Sequence, residues 1–154
     1  MMEVVSGIRA DIVVHDSEGR VVLLVEVKGR PAGKEVALHI RWLLQTVREI
    51  IPFAMLIDPD SIHVYQWDGA DLSEPICSLR TADVLQHYDP EFGSRPVFEH
   101  YLETLSEAWL RDLAYHWKSE LPPASEQLAA IGLLQRLEGG TTHAEVALGG
   151  DTLH

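Results

Sequence analysis

Residues 8 to 30, IRADIVVHDSEGRVVLLVEVKGR, constrain this chain more than any other stretch. Ile8 to His15 and Val21 to Lys28 are rich in β-branched residues, and Asp16-Ser17-Glu18-Gly19 between them is a turn cluster. The pattern predicts a β-hairpin. If Glu18-Gly19 form a two-residue loop, Asp11 lies opposite Glu26, Val13 opposite Leu24 and His15 opposite Val22. Side chains alternate along a strand, so Glu26 and Lys28 share one face while Val25 and Val27 point the other way.

Two carboxylates and an ammonium therefore converge on one patch of an apolar ribbon. Like charges directly opposite each other destabilise a sheet by about 0.2–1 kcal/mol. The arrangement makes sense if a divalent cation sits between them, because Mg²⁺ is commonly held by one or two carboxylates, water and phosphate oxygens. A lysine beside such an ion can orient a water or stabilise charge developing on a phosphate. A slip of one residue would send Asp11 to the opposite face. The plainer alternative is a polar hairpin end, with Lys28 pairing Glu26 or Asp11 in solvent.

Asp11 in RADIVV, with Glu26 and Lys28 in VVLLVEVKG, resembles the PD-(D/E)XK nuclease superfamily, the restriction-endonuclease-like fold. The resemblance covers residues 1–70, with Ala10 where the motif name has Pro. It implies a mixed α/β (α+β) sheet: a hairpin carrying the acidic residues, a crossover helix, and C-terminal helices packed on the sheet. It also implies Mg²⁺ or Mn²⁺ held by Asp11, Glu26 and the Val27 backbone carbonyl, with Lys28 orienting the attacking water. The family usually has a helix before these strands, often with a further acidic residue, whereas few residues precede this hairpin. Either another part of the chain replaces that helix, or the start of the gene product is incomplete.

The chain that follows agrees with this architecture. After the loop Gly29 to Gly33, residues 34–51 read as an amphipathic helix ended by Pro52. Val36, Ile40, Leu43, Leu44, Val47 and Ile51 form its buried face. Lys34, Arg41, Gln45 and Arg48 make a polar, mostly basic stripe. Together with Arg30 (next to the Glu-x-Lys strand), Lys34, Arg41 and Gln45 are the candidate nucleic-acid contacts; a solvated helix surface is the competing reading. Phe53 to Asp58 is a buried strand, Pro59-Asp60-Ser61 a turn, and His63 to Trp67 an alternating strand. Strand, helix and strand fit a right-handed crossover between parallel neighbours.

Residues 68–95 are acidic and loop-rich, with Ala82 to His87 a short helical turn. A long helix is expected from Pro96 to about Glu120, with Phe98, Tyr101, Leu102, Leu105, Trp109, Leu113 and Trp117 as its apolar stripe. It would cover the sheet face left bare by the absent first helix. Ser125 is expected to cap a further helix with Leu128, Ile131, Leu134 and Leu137 inward, before Gly139-Gly140. Met2 to Val5 and Thr142 to Leu148 are expected as terminal strands, and Gly149 to His154 as a fraying tail. Glu3 lies off the site face. His15 shares the face of Asp11 but stands roughly 13 Å along the strand, which makes it a solvated strand-end residue rather than a ligand.

The chain of 154 residues is long enough for one domain with a real core, a nuclease-like core over 1–70 and a C-terminal helical extension over 94–154. No apolar run approaches the roughly 20 residues needed to span a bilayer, and MMEVVSGIR lacks the pattern of a signal peptide. Cys77 is the one cysteine, so an intrachain disulfide is excluded and a cytoplasmic setting is expected. The net charge of −12 opposes binding to nucleic acid, but its distribution is uneven. Residues 1–48 hold 7 Lys/Arg against 6 Asp/Glu, whereas 49–154 hold 5 against 18. The expected partner is nucleic acid, DNA ahead of RNA, with a homodimer through the apolar C-terminal helices. The two competing functions are a metal-dependent nuclease and a catalytically inactive nuclease-like binding or assembly subunit. A third is a fragment whose site a partner chain completes.

Overall fold

The computed structural model describes residues 9–147. The expected strand Met2 to Val5, residue Glu3 and the tail Gly149 to His154 lie outside the described residues. The strands are β1 (Arg9–His15), β2 (Val21–Val27), β3 (Phe53–Ile57), β4 (Ser61–Gln66), β5 (Cys77–Arg80) and β6 (Thr141–Ala147). The helices are α1 (Lys34–Thr46), α2 (Thr81–Leu85), α3 (Glu99–Tyr115), α4 (Ser125–Ala130) and α5 (Leu133–Leu137). One mixed six-stranded sheet runs β5-β4-β3-β2-β1-β6, and the fold is α+β as expected. β2 and β3 are parallel neighbours joined through α1, and the other pairs are antiparallel.

Alternation along the strands separates two apolar cores. On one face Val13, Leu24, Ala54, Leu56 and Tyr65 pack with Ile40, Leu43 and Leu44 of α1. On the other, Ile12, Val14, Leu23, Val25, Val27, Met55 and Ile57 pack with Leu102, Trp109, Leu110 and Leu113 of α3 and with Leu128, Leu133 and Leu137. α3 thus occupies the face opposite α1.

The hairpin register agrees with expectation at Val13↔Leu24 but not at the turn, where His15 pairs with Val21 instead of Val22. The loop is longer than Glu18-Gly19. Gly19 N donates to Asp16 O (3.0 Å), Asp16 N donates to Arg20 O (2.8 Å), and Gly19 has φ 84. The Asp16 carboxylate accepts from Glu18 N and Arg20 N, a local turn that outcompetes the tighter loop and bulges the ladder.

Several boundaries also differ. α1 ends at Thr46, not 51: the β-branched Val47 takes extended backbone (φ −84, ψ 151), leaving Ile51 buried outside the helix. Residues 68–95 contain β5, which is too short and too weakly alternating to read. The long helix spans Glu99–Tyr115, and it stops before Glu120 because the buried Asp112 carboxylate captures Lys118 N (2.9 Å) and Ser119 N (3.0 Å). Phe98 and Trp117, expected on its buried stripe, are 72% and 51% exposed. The next helix is two pieces, broken at Gly132 with φ 83. Ser125 is not its cap: Ala124 holds that position, and Ser125 Oγ donates to Pro122 O (2.6 Å).

Candidate functional site

The β1–β2 ladder reaches Ile12↔Val25 and stops. Past that pair the strands exchange side chain to backbone bonds. Val27 N donates to Asp11 Oδ2 (2.7 Å), and Asp11 N donates to Glu26 Oε2 (3.3 Å). Lys28 Nζ stands 3.7 Å from Glu26 Oε1. Three of the residues singled out in the sequence, Asp11, Glu26 and Lys28, are therefore together at one end of the sheet. Asp11 Oδ1 has no hydrogen-bond donor among the described residues, and Glu26 Oε1 faces the Lys28 ammonium. The Val27 carbonyl points towards β1, as its N–H does, because the two groups of one strand residue face the same neighbour.

Burial dominates the electrostatics. It raises the Glu26 pKa to about 7, helped by the Asp11 charge and opposed by Lys28 and the Asp11 N–H. Burial also raises Asp11, against the Val27 N–H and Lys28, while Glu99 and Glu145 push further in the same direction. Glu103 is raised by burial, then by Asp11 and Glu145. Carboxylates from α3 and β6 thus bear on Asp11. Among the described residues, no three His, Cys, Asp or Glu side chains form a group that could hold a metal ion.

Sequence reasoning missed Glu99, Glu103 and Glu145. Glu99 Oε1 accepts from Gly29 N at 2.9 Å, latching the first turn of α3 to the end of β2. A Cβ at residue 29 would meet the Glu99 Cβ at 3.1 Å, so the glycine permits the approach. The only hint in the sequence is an acid in the first turn of a helix; its destination is not encoded locally.

The other candidates divide between two clefts. Lys28 and Arg30 line one of about 430 Å³, with Glu35, Phe98 and Glu99. Lys34 and Arg41 line a second of about 740 Å³ on the far side of Ala32, which borders both. Gln45 is exposed on α1 and lines neither cleft. His15 is not beside the carboxylates; it packs edge-on against His143, ring centroids 5.0 Å apart. Asp58, in the turn that could be mistaken for a metal loop, spends its oxygens on Ala32 N, Asp60 N and Ser61 N.

No protein-family model, curated protein or solved structure matches this chain.

Proposed function

We propose that this chain is a metal-dependent nuclease of the PD-(D/E)XK type, hydrolysing phosphodiester bonds in nucleic acid, with DNA ahead of RNA. The observation that carries the reading is the opening of the ladder after Ile12↔Val25, where the Asp11 and Glu26 carboxylates meet beside the Lys28 ammonium. The donor set fits Mg²⁺ or Mn²⁺, hard cations that accept one or two carboxylates and a carbonyl and retain water. Asp11, Glu26 and the Val27 carbonyl would hold the ion. Once bound, it would supply charge neutralisation at the scissile phosphate and lower the pKa of a water. Lys28 then has two roles open to its position: orienting that water, and stabilising negative charge as it develops on phosphate. Arg30, along the same cleft, would meet a flanking phosphate.

A second reading has its own observation in its favour. Asp11 and Glu26 already satisfy backbone N–H groups where the ladder fails, and Glu99, Glu103 and Glu145 add negative charge that repels a phosphodiester. On that reading the carboxylates clamp the strand ends, and the chain is a nuclease-like binding or assembly subunit.

Calorimetric titration with Mg²⁺ and Mn²⁺ on wild type, Asp11→Ala and Glu26→Ala separates the two. The assay is paired with cleavage of single- and double-stranded DNA and of RNA. Saturable binding and metal-dependent cleavage, both lost in the variants, support the nuclease. A wild type that neither binds the ions nor cleaves any substrate sinks it and leaves the subunit.

A further inference from the structure

β6 ends the sheet among the described residues, and β1 is the strand that holds it there. Their paired residues run from Arg9↔Ala147 to His15↔Thr141 but skip Asp11 and Glu145. Glu145 takes φ 55 at that point, a left-handed backbone that costs a residue with a Cβ free energy. β6 is therefore an edge strand with a weak point opposite Asp11, and its other end meets β1 at His15.

His15 carries the one buried side-chain nitrogen or oxygen without a hydrogen-bond partner among the described residues, its Nδ1. The His143 ring of β6 meets it edge-on, centroids 5.0 Å apart, because His143 pairs with Val13 and residues 13 and 15 share a face. The charged and titratable groups facing His15 are His143 from β6, Glu49 from the segment after α1 and Asp16 from the hairpin turn. Neither acid serves Nδ1. The Asp16 carboxylate accepts from Glu18 N, Arg20 N and Arg20 Nε, and Glu49 is exposed. Thr141 Oγ1 lies 3.3 Å from Nε2 of His143, not from His15. Burial, then His143, hold His15 below the usual histidine range against the pull of Glu49 and Asp16.

Neutral His15 can keep Nδ1 as a bare lone pair. A further proton turns that atom into a buried donor with no acceptor and sets a cation against the His143 ring, and an unpaired buried donor is costly. We propose that the His15–His143 pair is an acid-released clasp for β6, closed while both rings are neutral and opened when they gain protons. Opening carries Nδ1 of His15 into water and parts the two rings. Glu145 leaves the neighbourhood of Asp11 in the same movement, since the two stand across one ladder. The folded value for His15 lies below the ordinary 6.5, so the clasp is whole above 6.5 and weakens as pH falls towards the folded value. It operates whether or not the chain cleaves nucleic acid.

Amide hydrogen exchange followed by NMR on the full chain, each rate divided by the intrinsic rate at that pH, tests the clasp. The β6 amides bonded to β1 should exchange ahead of those of β3. Between about pH 7.5 and pH 5 they should lose about threefold or more of their protection. The loss should vanish in His15→Phe, which keeps a ring but cannot titrate, and fall by about half or more in His143→Gln. Unchanged β6 protection in wild type, a loss undiminished in His15→Phe, or exchange of β6 and β3 as one unit overturns the proposal. Should His15→Phe fail to fold, the imidazole nitrogen shifts of wild-type His15 decide: titration in step with the loosening of β6 upholds the clasp, and titration out of step with it, or loosening without it, overturns it.

Discussion

Glu26 is harder to ionise than an exposed glutamate because its side chain is buried beside a second carboxylate. Its folded pKa of about 7 lies above the ordinary 4.5, so between these values the folded chain keeps a proton that the unfolded chain releases. Stability contributed at this residue is thus greatest below the unfolded value, falls through the window and stays reduced above about 7. The penalty is on the order of 3 kcal/mol. Glu26→Gln in metal-free buffer should therefore raise stability at pH 8 by about 1–3 kcal/mol and change it little at pH 4; urea unfolding at the two pH values checks this. Asp112 has the opposite sign. Burial alone would raise it, but hydrogen bonds from Tyr88 Oη (2.7 Å), Lys118 N and Ser119 N hold its carboxyl below the usual range. Its contribution is present above the unfolded carboxylate value and is lost as pH falls through the folded one. Asp112→Ala should cost about 2–4 kcal/mol at pH 7, read by urea unfolding, because three donors lose a charged acceptor.

At the scale of elements, the central hairpin depends on how β6 is delivered to its far side. Gly139 N donates to Ala114 O (2.8 Å) at the end of α3, and Gly140 N to Leu137 O (3.0 Å). A Cβ at Gly140 would lie 2.0 Å from His15 O, so a side chain there forces β6 away from β1. Gly140→Ala is expected to destabilise the protein by about 2–3 kcal/mol, visible as a lowered melting temperature by circular dichroism. Arg111 Nε donates to Thr142 Oγ1 at 3.1 Å and adds a second tie between α3 and β6. The buried face of α1 was legible because Ile40, Leu43 and Leu44 recur at helical spacing. Its end was not, since Val47 leaves the helix five residues before the proline that seemed to terminate it. Both helix ends that were misread, at Thr46 and Tyr115, are places without a capping glycine.

For the whole molecule, charge sets the terms of any encounter with nucleic acid. A net charge of −12 repels a phosphate backbone, and Lys34 and Arg41 on α1 must act locally against it. If these two cations carry the phosphate contacts, oligonucleotide binding should fall with salt at a log–log slope of about −1 to −2. A steeper slope, measured by anisotropy from 50 to 300 mM KCl, would mean that other cations contribute. Among the described residues no helix is long and apolar enough to cross a membrane. The meeting of Asp11, Glu26 and Lys28 at one end of the sheet was readable in the chain, because the pairing of two strands across a short turn is a local property. So was the parallel pairing of β2 with β3, since only a crossover through α1 lets these strands lie side by side. The arrival of Glu99 at Gly29, 70 residues away, was not readable, nor was the meeting of α1 with the 71–75 segment over Tyr65. Hydrophobic period reports which face of an element turns inward. It says nothing about which distant polar group lands beside it, because each such contact is worth only about 1 kcal/mol and forms after packing has already chosen the neighbours.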